Sequence, residues 1–154
     1  MARRGFGDET WRLANDADAA ALRDAADRLG EDVAYDSHRA RAFALAVDGR
    51  RDDALAELNE GWSDEWPFPA AHALDVARVQ FLAGDYAHAL IAVELSVCGG
   101  GGHDGSPLEL AVACVRRQPG LLWRALRLAL TGGSLPQRGW SALAVLGARL
   151  ARNP

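Results

Sequence analysis

The chain has 154 residues, of which 49% are apolar and 25% charged, and it carries a formal net charge of −4. That is enough for one domain with a sizeable core and too little for two ordinary ones. The longest nearly apolar run, Trp140 to Ala148, is about half of what a membrane-spanning helix needs. All 17 basic residues are arginine, the usage expected of a GC-rich, bacterial genome, so chemistry that depends on a lysine nucleophile or Schiff base is excluded.

Met1 to Arg4 begins like a secretory leader, but Gly5-Phe-Gly-Asp-Glu9 stands where its apolar stretch belongs. Cys98 and Cys114 are too few for a disulfide framework. The expected setting is therefore the cytoplasm, with reduced thiols. Alanine is abundant and β-branched residues are few, which favours helix over strand.

In chain order, a first helix is expected over about 17–29, with Ala21, Leu22, Ala25, Ala26 and Leu29 apolar. Three units of about 35 residues follow, at about 36–69, 70–106 and 107–135. Gly49, Gly84 and Gly120 share one register with Ala42, Ala77 and Ala113, with Ala54, Ala89 and Ala125, and with Leu55, Leu90 and Leu126. One turn later stand Leu58, Val93 and Ala129. Each unit reads as two helices, 36–48 with 51–61, 70–83 with 86–97, and 107–118 with 121–131, the glycine supplying the turn between them. A capping helix is expected over about 141–152. One such hairpin cannot bury its own apolar face, so several must stack. The expected fold is one all-α domain over 1–154, made of stacked antiparallel hairpins with about seven or eight helices.

Gly84-Asp-Tyr86 followed by Ala89-Leu90, and Gly49 followed by Ala54-Leu55, resemble the turn and second helix of the tetratricopeptide repeat. Ala42, Ala77 and Ala113 take that family's small first-helix position. The resemblance covers about residues 36–131 and is degenerate, with Arg51 and Leu122 in the tyrosine place. It implies a right-handed superhelix whose first helices line a concave groove, and a family habit of binding peptides and proteins.

The most enzyme-like stretch is Cys98-Gly-Gly-Gly-Gly-His-Asp-Gly-Ser-Pro107. A phosphate loop requires a lysine where Ser106 stands, and Pro107 removes a backbone N–H. Ser106-Pro-Leu-Glu109 reads instead as a capping box that opens a helix. Cys98, His103 and Cys114 lack metal-ligand spacing, so no metal or cofactor is expected. Cys114 falls on an apolar helix, where a free cysteine behaves as a small hydrophobe. His38, His72 and His88 are isolated on helices, and no catalytic signature occurs.

Binding residues are expected in two places. If the resemblance holds, Arg39, Phe43, Arg78, Phe81 and Arg117 face the groove or its edge and suit an acidic, partly hydrophobic peptide; otherwise Phe43 and Phe81 are core. Trp62 and Trp66, in the loop Trp62-Ser-Asp-Glu-Trp66-Pro-Phe68-Pro, either fill the gap between repeats or anchor a partner. Charge is strongly graded. Residues 1–65 hold 16 acids against 9 arginines, whereas after Glu109 there is no acid and seven arginines remain. Such a chain could associate head to tail with its own copies or offer its basic end to an acidic partner. The expected function is a non-catalytic protein–protein interaction module. The alternatives are a small helical enzyme or ligand binder using the glycine loop, and a nucleic-acid or anionic-surface binder using the basic end. Nucleic acid lacks a reader motif here, and a docked terminal helix with an arginine rim accounts for the basic end without a membrane.

Overall fold

The computed structural model describes residues 6–29, 34–62, 69–99, 106–133 and 135–151. Every regular element among them is a helix. In chain order these are α1 (Phe6–Asn15), α2 (Ala19–Leu29), α3 (Ala34–Val47), α4 (Arg51–Glu60), α5 (Pro69–Leu82), α6 (Tyr86–Cys98), α7 (Ser106–Arg117), α8 (Leu122–Thr131) and α9 (Leu135–Leu150). A short 3₁₀ turn, Pro119–Leu121, leads into α8. The helices pack in neighbouring pairs, so the all-α hairpin fold expected from the repeat register is the one observed. The element the sequence did not announce is α1.

Many of the small and aliphatic positions singled out in the sequence are buried, while Ala113 and Leu55 are half-buried. Ala42, Ala77, Ala54, Ala89 and Ala125 are fully buried, as are Leu58, Leu90 and Val93. Small residues at these places let helices approach closely, and the aliphatic residues fill what remains between them. Two of the repeat glycines end their helices in the left-handed conformation, Gly49 at φ 79° and Gly84 at φ 82°. At the first, Gly49 N–H donates to Ala46 and Arg50 N–H to Leu45, which satisfies carbonyls left open at the end of α3. Gly120 is different: it lies in the 3₁₀ turn and its φ is not positive. The third hairpin therefore turns by Pro119 rather than by a glycine cap.

The chain divides into two compact units. Unit 1 comprises Met1–Pro67 and Arg78–Gly84; unit 2 comprises Phe68–Ala77 and Asp85–Pro154. In unit 1, α2 packs on α3, α3 on α4, and α1 on both α2 and α3. Ser37 Oγ donates to the Ala26 carbonyl and fastens α3 to α2. In unit 2, α6 packs on α7, while α9 packs on both α7 and α8. Ser96 Oγ donates to the Ala70 carbonyl at 2.8 Å, which holds α6 against the first turn of α5.

Candidate functional site

Four of the residues assigned to a groove come together in unit 1, around a side chain not anticipated there. The Trp11 ring of α1 meets Phe43 edge-on at 5.8 Å and Phe81 at 6.3 Å. Arg78 holds its guanidinium 5.1 Å from the Trp11 ring centre, and Arg39 lies 5.3 Å from that of Phe43. Such ring pairs and cation–π contacts stabilise by roughly 0.5–1.5 kcal/mol each. Phe43 is fully buried, and Arg39 and Arg78 are only 7% and 9% exposed. Phe81 is half-buried. The face that α3 and the end of α5 would present to a peptide is thus covered by α1. The signal for α1 was short: acidic Asp8 and Glu9 near its start, Arg12 in its last turn, and apolar Trp11 and Ala14 one turn apart.

Arg117 belongs to unit 2, where it is exposed in the last turn of α7. Trp62 is half-buried after α4, and Trp66 lies outside the described residues, as does His103. Cys114 is fully buried, and burial pushes its thiol up to about 12, so it is a hydrophobe in effect and not a nucleophile. Among the described residues no cluster of three His, Cys, Asp or Glu could hold a metal ion. The polar pairs have local structural work: His38 Nδ1 meets Glu57 at 2.9 Å between α3 and α4, and Asp85 caps α6 while meeting His88 Nδ1 at 2.8 Å.

Unit 2 offers a different surface. Its exposed large apolar side chains are Ile91 and Leu95 on α6, Trp123 and Leu130 on α8, and Trp140, Leu143, Leu146 and Leu150 on α9. Spacings of 3, 3 and 4 residues put the α9 set on one side of that helix. Trp140 is 75% exposed, Leu143 60% and Leu150 74%. The buried stripe of α9 is a separate one, formed by Ser141, Val145 and Ala148. A helix that is apolar on nearly all sides is expected to be buried on all of them. α9 buries only one side. Gly139 and Gly147 lie beside the exposed stripe, and a Cβ built at either meets nothing within 4 Å. That Trp140 to Ala148 is nearly all apolar was legible; that this implies two apolar faces is what sequence reasoning missed.

Charge in unit 2 is graded, with no acidic side chain after Glu109. Glu94 on α6 accepts two hydrogen bonds from Arg124, at 3.1 and 2.8 Å, and Arg127 stands 3.6 Å away. The bidentate bond raises the Arg124 pKa further and fixes α8 against α6. Arg116, Arg117 and Arg149 are exposed and form no ion pair among the described residues. Among those residues no helix is long and apolar enough to cross a membrane. Against known proteins, no family model, no curated protein and no solved structure matches this chain.

Proposed function

We propose that the protein is a non-catalytic protein–protein interaction module whose binding surface is the outer apolar face of α9. The observation that carries this reading is the exposure of Trp140, Leu143, Leu146 and Leu150 along one side of a helix otherwise docked in its unit. Scattered surface leucines need no explanation, whereas a continuous stripe led by a tryptophan is typical of interaction sites. The test is affinity capture from host extract with mass spectrometry, comparing the unaltered protein with a Trp140→Glu, Leu143→Glu variant of unchanged helicity. Specific partners should be lost with the variant. Retention of the same partners would overturn the reading.

A second surface rests on the α1 contacts. The face of α3 and the end of α5 accepts an aromatic side chain from an amphipathic helix, since Trp11 occupies it with Phe43, Phe81 and Arg78 around it. A groove ligand of the kind expected from the repeat register would bind there by displacing α1. In that case Trp11→Ala should strengthen peptide capture, and the α9 variant should leave it unchanged.

A further inference from the structure

We infer that the occupant of the α9 face is an acidic amphipathic helix of a partner protein, an assignment that rests on the reading above. Three observations on unit 2 lead to it. The stripe Trp140, Leu143, Leu146, Leu150 follows helical spacing and is flanked by Gly139 and Gly147, whose missing side chains leave open space. Large side chains with glycines among them suit the ridges and grooves of a second helix, since a small residue at the contact lets the two axes approach. The charged side chains of α8 and α9 are all arginine. After Glu109 the sequence holds no carboxylate side chain, and Arg149 on α9 together with Arg116 and Arg117 on α7 is exposed without an ion pair among the described residues. A partner that supplies glutamates or aspartates beside its apolar stripe compensates Arg149, on the same helix as the stripe, and gains an arginine–carboxylate hydrogen bond there.

The competing occupants fit less of this. Two copies meeting α9 to α9 would bring two acid-free arginine segments together, and like charges across a contact oppose association. A copy offering its acidic unit 1 answers the charge but not the stripe, because the described residues of unit 1 expose no large apolar side chain. An anionic lipid surface answers both charge and apolar character, yet fluid acyl chains gain nothing from glycines that let a second helix axis approach. The helix partner accounts for stripe, glycines and arginine at once.

The experiment uses the full chain and two fluorescein-labelled synthetic helical peptides with the same leucine stripe, one flanked by glutamate and the other by lysine. Anisotropy titration should show binding of the glutamate peptide, with the lysine peptide weaker by about tenfold or more. Raising the salt from low to high should weaken the glutamate peptide by a similar factor. Arg149→Glu should cost several-fold, and Trp140→Glu with Leu143→Glu should remove binding altogether. The peptide comparison needs no altered protein, so it stands even if a variant misfolds. Equal affinity for both peptides, or for neither, overturns the assignment. So does Trp140-dependent binding to phosphatidylserine-containing vesicles without binding of the glutamate peptide, which would assign the face to lipid. A sedimentation equilibrium dimer that disappears in the Trp140, Leu143 variant overturns it in favour of a second copy. If capture from extract depends on Trp140 and Leu143 but the glutamate peptide does not bind, the acidic helix falls and the interaction surface remains.

Discussion

In unit 1, Trp11 lies edge-on to two phenylalanines with an arginine over its ring; in unit 2, Trp123 and Trp140 stand about three-quarters exposed. The same residue type serves closure in one region and availability in the other. Charge divides in parallel, with the acids concentrated in residues 1–65 and none after Glu109. The lesson is that a helical hairpin array leaves apolar faces at its margins, and these two units treat theirs differently. Unit 1 covers one with α1. Unit 2 keeps one open on α9.

The comparison breaks first if the tryptophans are energetically alike. Phe43→Ala should destabilise by about 3–5 kcal/mol, since it empties a fully buried ring site. Trp11→Ala should cost roughly 3 kcal/mol through its lost packing, ring pairs and cation–π contact. Trp140→Ala and Trp123→Ala should each stay within about 0.5 kcal/mol, as surface changes do. Urea unfolding of the four variants measures all of these. A Trp140→Ala loss as large as that of Trp11→Ala would make α9's outer face structural.

The helix ends sharpen the contrast at a smaller scale. Gly49 and Gly84 hold positive φ with open space around their Cα, so an added methyl group meets no atom and only the backbone conformation is strained. Gly49→Ala and Gly84→Ala should each cost about 1 kcal/mol. Gly120→Ala, without a positive φ, should cost almost nothing. Ala17 is the reverse case. It takes φ 56° at the end of α1, where its N–H donates to Ala14 and Asp18 N–H donates to Leu13, the same cap that Gly49 makes. Ala17→Gly should therefore stabilise by about 0.5–1 kcal/mol. Thermal unfolding of the four variants orders them, and a loss on Ala17→Gly would contradict the strain at that cap.

Those positions also show how far the sequence could be read. The helical hairpins were legible because glycine, alanine and leucine positions reinforce one another along the chain, and Ala54, Ala89 and Ala125 are buried, although Ala113 and Leu55 are only half-buried. α1 was not legible because it lies outside the repeated positions and begins beside Gly5 and Gly7, both weak helix formers. Missing it meant missing what covers Phe43 and Phe81. Pattern alone cannot separate a groove lining from a buried layer, since both require aromatic residues on the first helices. The open face of α9 failed for another reason: a run apolar on every side carries no period, so it does not say which side finds a neighbour.

The cysteines separate next. Cys98 is exposed at the end of α6, while Cys114 is fully buried with its thiol pushed up to about 12. A thiol reagent at neutral pH should modify Cys98 in the native protein and reach Cys114 only on unfolding. Peptide mapping after a timed pulse distinguishes them. Equal labelling of both in the native protein would mean that α7 opens freely.

The smallest effect concerns pH and belongs to unit 2 through the first turns of α5. Burial lowers the His72 pKa below its ordinary value of 6.5, and the nearby Asp75 carboxylate opposes that shift without cancelling it. The folded protein thus favours neutral His72. As pH falls through 6.5, the unfolded chain takes up a proton that the folded chain still refuses, so unfolding gains protons and stability declines. The decline stops once pH passes below the lowered folded value, where both states are protonated. Stability from this residue is therefore complete above 6.5 and reduced in mild acid, the opposite of a histidine stabilised by a carboxylate. The reading is a difference between two proteins. His72→Gln removes this one titration and leaves the rest of the chain unchanged. Subtracting its urea-unfolding free energies from those of the unaltered protein, between pH 7.5 and 5, should leave a term that turns against the unaltered protein as pH falls. A difference that is flat, or that moves in favour of the unaltered protein in acid, would show that His72 is charged in the folded state.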